Sequence, residues 1–293
     1  MSKLSTDPVT QSDIKRYLNN YSDFSFELQV LKKYTDLGFE CTHGGTYEDP
    51  VTNKSREYDI RALLKTKFIR IHLSIECKNL RENFPLVVHC LERKENESYN
   101  ELIYTFEPKT PTQQVGPISL TLPSAFIEIS RSVRLQQFSL YKKKQFVAKS
   151  ADQIGKRLDN GEITSTDGEV FDKISQAINS SIDLISEAHY LDTDISIAYL
   201  TFVCPVLVIP DGSLWQAKYA DDGKQIGEPE QINHIPYYIG KDWTVGDKLH
   251  SLTYKISHLE IVTYSEIQNF VEKYLGDHIT LCSDVISRGG EFS

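Results

Sequence analysis

The chain has 293 residues, 40% of them hydrophobic and 25% charged, with a formal net charge of −9. That length buries a sizeable core in one large or two modest domains, and the composition excludes disordered, fibrous and disulfide-stapled classes. The acidic balance excludes a uniformly basic surface, so any contact with phosphate has to be local.

Cys41, Cys77, Cys90, Cys204 and Cys282 are scattered and form no CxxC pair. A zinc knuckle is therefore not indicated, and a reducing, cytoplasmic setting is expected. The first twenty residues are polar, and no apolar run approaches ~20 residues, so neither export nor membrane insertion is expected.

In chain order, residues 24–37 place Phe24, Leu28, Leu31 and Tyr34 or Thr35 at helical spacing, and Gly38 follows as a stop. FECTH reads as a short strand, GGTYEDPVTNKS as a loop, and REYDIRALL and FIRIHLSIECK as two successive strands. FPLVVHCLE and LIYTF are further strand candidates. SAFIEI fits strand or helix, and the segment through AKSADQIGKRL reads as partly helical. Turn residues near 159–168 suggest a boundary between a first region, 1–160, and an α+β region, 168–293, for recognition, dimerisation or partner docking.

Beyond it, Phe171, Ile174, Ile178, Ile182, Ile185 and Ala188 mark one face of a long helix. The apolar run YLTFVCPVLVIP follows, with Asp211-Gly212 read as a hairpin turn into SLWQAKYA. SLTYKISHLEIVTY reads as a strand, and Ser265 as the cap of a final helix.

The chemistry concentrates in the third strand candidate. Ile69, Ile71, Leu73 and Ile75 alternate with Arg70, His72, Ser74, Glu76 and Lys78, so Glu76 and Lys78 share a face. If the two strands pair as a hairpin, the Asp59 carboxylate approaches Glu76. Two carboxylates suit Mg²⁺ or Mn²⁺, and an ammonium beside them suits orientation of the attacking water in phosphodiester hydrolysis. Glu27, on the preceding helix, offers a further carboxylate.

A helix with Glu27, then Asp59 in YDI, then Glu76-Cys77-Lys78 at a strand end resembles the restriction-endonuclease-like, or PD-(D/E)XK, nuclease superfamily. The resemblance covers roughly residues 20–95, and Tyr58 stands where a Pro often precedes the Asp. It implies an α/β fold, with a mixed central sheet flanked by helices, and divalent-metal-dependent cleavage of nucleic acid. It implies metal binding by Asp59 and Glu76, with the Cys77 backbone carbonyl and Glu27 beside them, and Lys78 as the catalytic lysine. Two other E-x-K triplets, Glu92-Arg93-Lys94 and Glu107-Pro108-Lys109, lack an Asp at short distance upstream, and the second carries a strand-disfavouring Pro.

His43 and His72 are candidates for acid–base work, and Arg56, Arg61, Asn79 and Arg81 for phosphate contacts, each equally readable as structural. The basic segment 128–157 sets Arg131, Arg134, Lys142, Lys143 and Lys144 among Phe138, Tyr141 and Phe146, a mixture suited to a nucleic-acid groove with aromatic stacking. The expected activity is Mg²⁺-dependent endonucleolytic cleavage of DNA in restriction or anti-phage defence, with a homodimer or a protein partner. The rivals are a catalytically silent nucleic-acid-binding or scaffold subunit and an RNA-directed nuclease.

Overall fold

The computed structural model describes residues 5–20, 22–66, 68–105, 112–115, 118–121, 130–135, 139–166, 168–190, 199–246, 251–276 and 280. SAFIEI, Phe138, Glu107-Pro108-Lys109 and Cys282 lie outside them. Two helices open the chain, α1 (Gln11–Asn20) and α2 (Phe24–Asp36). A meander follows, β1 (Glu40–Glu48), β2 (Ser55–Lys65) and β3 (Ile69–Cys77), and then β4 (Leu86–Glu92) and β5 (Asn100–Thr105). The small hairpin β6 (Thr112–Val115) and β7 (Ile118–Thr121) stands apart as a two-stranded sheet. Next come β8 (Ser130–Leu135), β9 (Phe146–Lys156), β10 (Ile163–Thr166) and the long helix α3 (Gly168–Tyr190). The chain ends with β11 (Tyr199–Ile209), β12 (Leu214–Tyr219), β13 (Gln225–Gln231), β14 (His234–Gly246), β15 (Ser251–Thr263), and α4 (Ile267–Asn269) running into a π-helical turn at Phe270–Leu275.

The fold is α/β, built on one mixed sheet of 13 strands in the order β1-β2-β3-β11-β15-β14-β9-β4-β12-β13, with β10 on β9 and with β5 and β8 beside the start of β11. β3 and β11 are parallel, Leu200 opposite Ile69 and Leu207 opposite Glu76, whereas β1, β2 and β3 are antiparallel neighbours. β11 is buried at every position. Its even positions Cys204, Val206 and Val208 join a cluster with Phe26, Val30 and Tyr34 of α2, and its odd positions Val203, Leu207 and Ile209 join one with Ile174, Ile178 and Ile182 of α3. Since alternate strand residues point to opposite faces, α2 and α3 cover opposite sides of the sheet. That two-sided burial explains the strongly apolar run of β11.

Several elements differ from the sequence reading. α2 buries Phe26, Val30 and Tyr34, while Phe24 and Leu28 are exposed. Both stripes satisfy helical spacing, and packing on the sheet selects one of them. Phe171 likewise stays exposed on α3. β1 runs on through Gly44 and Gly45, read as loop, because Gly44 takes a φ of +67° that an L side chain resists and Gly45 leaves room for the Tyr58 ring. The segment read as partly helical is strand β9, paired with β4, β10 and β14. Gly212, at φ +78°, does make a turn, yet β11 and β12 form no hairpin: β11 pairs with β3, β5 and β15, and β12 with β4 and β13. Ser265 caps nothing with its side chain; its N–H donates to Asp211 Oδ1 at 2.8 Å, and Glu266 holds the cap position.

Of the turn residues near 159–168, those up to 162 connect β9 to β10, and strands from before and after them alternate across the sheet. Among the described residues no helix is long and apolar enough to cross a membrane.

Candidate functional site

The β2–β3 register sets Ile60 against Ile75, which places Asp59 across from Glu76 at the end where β3 stops. Ile60 and Ala62 of β2, with Ile71, Leu73 and Ile75 of β3, pack into the cluster under α2. Asp59 and Glu76 therefore point to the opposite face, under α3. The two acids are tied to each other's strand: the Cys77 N–H donates to Asp59 Oδ2 at 2.8 Å, and the Asp59 N–H to Glu76 Oε1 at 3.4 Å.

The cation between them is Lys173 of α3. Its Nζ lies 2.9 and 2.6 Å from Asp59 Oδ1 and Oδ2 and 2.9 Å from Glu76 Oε2. Glu76 is fully buried, whereas the Asp59 and Lys173 side chains keep 14% and 18% of their exposure, so the cluster meets solvent through those two. Burial, with the Asp59 charge second, pushes the Glu76 carboxyl up to about 8. Burial opposes the Lys173 charge too, but Glu76 and Asp59 outweigh it and its pKa rises. The two directions agree physically: two anions facing one cation leave a surplus negative charge, so a carboxyl takes up a proton readily while the ammonium keeps its own.

Lys78, the lysine expected here, is engaged elsewhere. β3 ends at Cys77, and Lys78 Nζ sits 3.1 Å from Asp23 Oδ2, just before α2, and 3.1 Å from Glu169 Oε2 in the first turn of α3. These carboxylates outweigh the effect of burial and raise its pKa. Asp23 also accepts the Asn79 N–H at 3.0 Å. Lys173 was not a candidate from sequence, although a signal existed: it stands four residues before Ala177 on the buried side of α3, where a cation is out of place unless it has anions to meet.

Glu27 comes from the α2 side and turns to His43 of β1, Oε2 to Nε2 at 3.1 Å. Its pKa is raised by burial first and then by the Asp59 charge. Among the described residues, no group of three or more His, Cys, Asp or Glu is placed to hold a metal ion. The hard-oxygen set at the centre is the pair Asp59 and Glu76. Mg²⁺ is commonly held by one or two carboxylates and keeps several waters, so this pair fits that ion without a third acid.

The other candidates are distributed around the fold. Arg61 reaches over to α3, pairing with Asp183 at 2.7 Å and Glu187 at 3.1 Å, and Arg56 lies 3.8 Å from Asp49. His72 is buried, and burial, helped by Arg70, Lys65 and Arg61, drops its pKa to about 4. Arg131 and Arg134 of β8 lie by the start of β11, the end of β3 remote from Glu76, and Arg134 pairs with the buried Glu101. Lys142, Lys143 and Lys144 form the turn before β9, four strands from β3 in the sheet, roughly 19 Å at the usual strand spacing. Lys143 pairs with Glu95 at 2.9 Å. Of the interleaved aromatics, two are described: Tyr141 is buried, stacked on His258 and donating to Glu260 at 2.7 Å, and Phe146 packs against the core.

A groove of about 560 Å³ runs beside α3, lined by Arg56, Phe171, Asp172, Asn179, Tyr237 and Lys241 among others. No family model, curated protein or solved structure matches the chain.

Proposed function

We propose that the chain is a metal-dependent nuclease that hydrolyses phosphodiester bonds of DNA, with Asp59 and Glu76 as the acids that hold Mg²⁺ or Mn²⁺. One observation carries the reading: carboxylates from two adjacent strands converge on a single cation position, three of their oxygens lying within 2.9 Å of one nitrogen. A mixed sheet with a helix on each face, and Glu76 near a strand end, is the setting that the PD-(D/E)XK resemblance implies.

When bound, the metal polarises the phosphoryl oxygen and lowers the pKa of a coordinated water. The protein's own groups do the rest. The Cys77 amide fixes the Asp59 carboxylate, and its carbonyl, with Glu27 through water, completes the proposed set. Lys173 and Lys78 supply two ammonium groups near the first turns of α3, where charge on a phosphate needs neutralising. A restriction or anti-phage setting, a homodimer that cuts both strands, and a cytoplasmic location belong to the same reading.

A second reading, a silent nucleic-acid-binding or scaffold subunit, is favoured by the closed ion cluster around the fully buried Glu76. Cleavage of labelled duplex DNA, single-stranded DNA and RNA with Mg²⁺ or Mn²⁺ separates the readings. The nuclease cuts, and Glu76→Gln and Asp59→Asn each lose about a hundredfold or more, the scale of several kcal/mol in the barrier. Binding without cleavage in every ion supports the silent subunit, and cleavage of RNA alone moves the substrate to RNA.

A further inference from the structure

We infer that Lys173 is a built-in competitor for the divalent ion: its ammonium fills the point on which Asp59 and Glu76 converge, and a metal binds there only by displacing it. The inference rests on the metal-site reading above and adds how that site is held without metal.

Space and charge both bear on the exchange. Nζ lies 2.6 Å from Asp59 Oδ2 and 2.9 Å from Glu76 Oε2. A Mg²⁺ or Mn²⁺ ion sits at about 2.0–2.2 Å from each carboxylate oxygen, so an ion shared by these acids takes the same space. The two cations exclude each other. Charge favours the exchange when both carboxyls are ionised, because one ammonium then leaves the pair with a surplus negative charge that a divalent ion cancels.

The displaced side chain has a place to go. Glu169 precedes Lys173 by four residues, which puts the two on one side of α3 one turn apart. Its side chain is 74% exposed, and it already holds Lys78 at 3.1 Å. A flexible four-carbon stem lets the Lys173 ammonium move from the buried acids to this outer carboxylate, and Lys78 retains Asp23 at 3.1 Å. The apo protein thus keeps its acidic centre partly neutralised from within, and the metal has to outcompete a tethered ligand.

The test uses the full chain and Mn²⁺ alone, followed by calorimetry or electron paramagnetic resonance. Lys173→Met removes the competitor, and its affinity for Mn²⁺ is expected to rise about tenfold or more over wild type, with Glu76→Gln abolishing binding in both backgrounds. Because Lys173→Met leaves the buried Glu76 carboxylate facing Asp59 with no cation between them and can unfold the chain, a second measurement uses wild type. Acetylation of lysines, read by mass spectrometry, is expected to increase at Lys173 when Mn²⁺ is added and to stay constant at Lys32. Equal or weaker binding by Lys173→Met, or Lys173 labelling that ignores Mn²⁺ under saturating conditions, overturns the competition while leaving the metal site standing. Absence of Mn²⁺ binding in both proteins overturns the metal site and the inference with it.

Discussion

At the scale of single residues, burial decides which ionisable groups carry consequences. His72 shows this in the cleanest form, since it sits buried on β3 and the charges that shift it are all cationic. Its native pKa, about 4, lies below the ordinary histidine value of 6.5, so below pH 6.5 the unfolded chain takes up a proton that the native state refuses. The stability tied to neutral His72 is whole above pH 6.5 and is lost as pH falls through that value towards 4. By linkage the loss is roughly 3 kcal/mol. Urea titrations from pH 7 to 4 are expected to show wild type losing that much relative to His72→Leu; parallel curves for the two proteins would refute the assignment.

Elements show what can be read from one sequence and what cannot. The approach of Asp59 to Glu76 was legible because both ends of the argument are local: alternation fixes the face of each strand, and a short connection favours an antiparallel hairpin. Lys173 lies 97 residues beyond Glu76, and nothing in the period of a helix says which strand it will cover. The face of α2 was legible only in part, for a related reason. Tyr34 is buried and Leu31 packs against the core as expected, whereas Phe24 and Leu28 give way to Phe26 and Val30 at the same spacing, a choice made by the sheet beneath. Phe26→Ala is accordingly expected to cost about 3–5 kcal/mol in chemical denaturation. Leu28→Ala is expected to stay within about 0.5 kcal/mol. A reversed order would mean that α2 packs by its other stripe. The β11–β12 turn misled because a Gly at positive φ marks a change of direction and carries no information on which strand pairs next.

Across the whole molecule, the sheet interleaves early and late strands. β3 is covered on one edge by β11, β4 by β12, and β9 by β14, so the first half of the chain leaves its central strands with unpaired edges when it stands alone. A fragment of residues 1–166 is expected to lack a cooperative unfolding transition and dispersed amide resonances; a well-dispersed spectrum would show an independent N-terminal unit. The same interleaving gives the carboxylate pair its helix, because α3 is the link that carries the chain from β10 to β11 and across the face of β3.

For the proposed metal centre, the decisive experiment is anomalous scattering from crystals of the full chain soaked in Mn²⁺. One strong peak is expected at about 2.0–2.2 Å from oxygens of both Asp59 and Glu76, with the Lys173 ammonium moved off the pair. Density for Lys173 still bridging the two carboxylates at saturating Mn²⁺, with no peak between them, would rule the centre out.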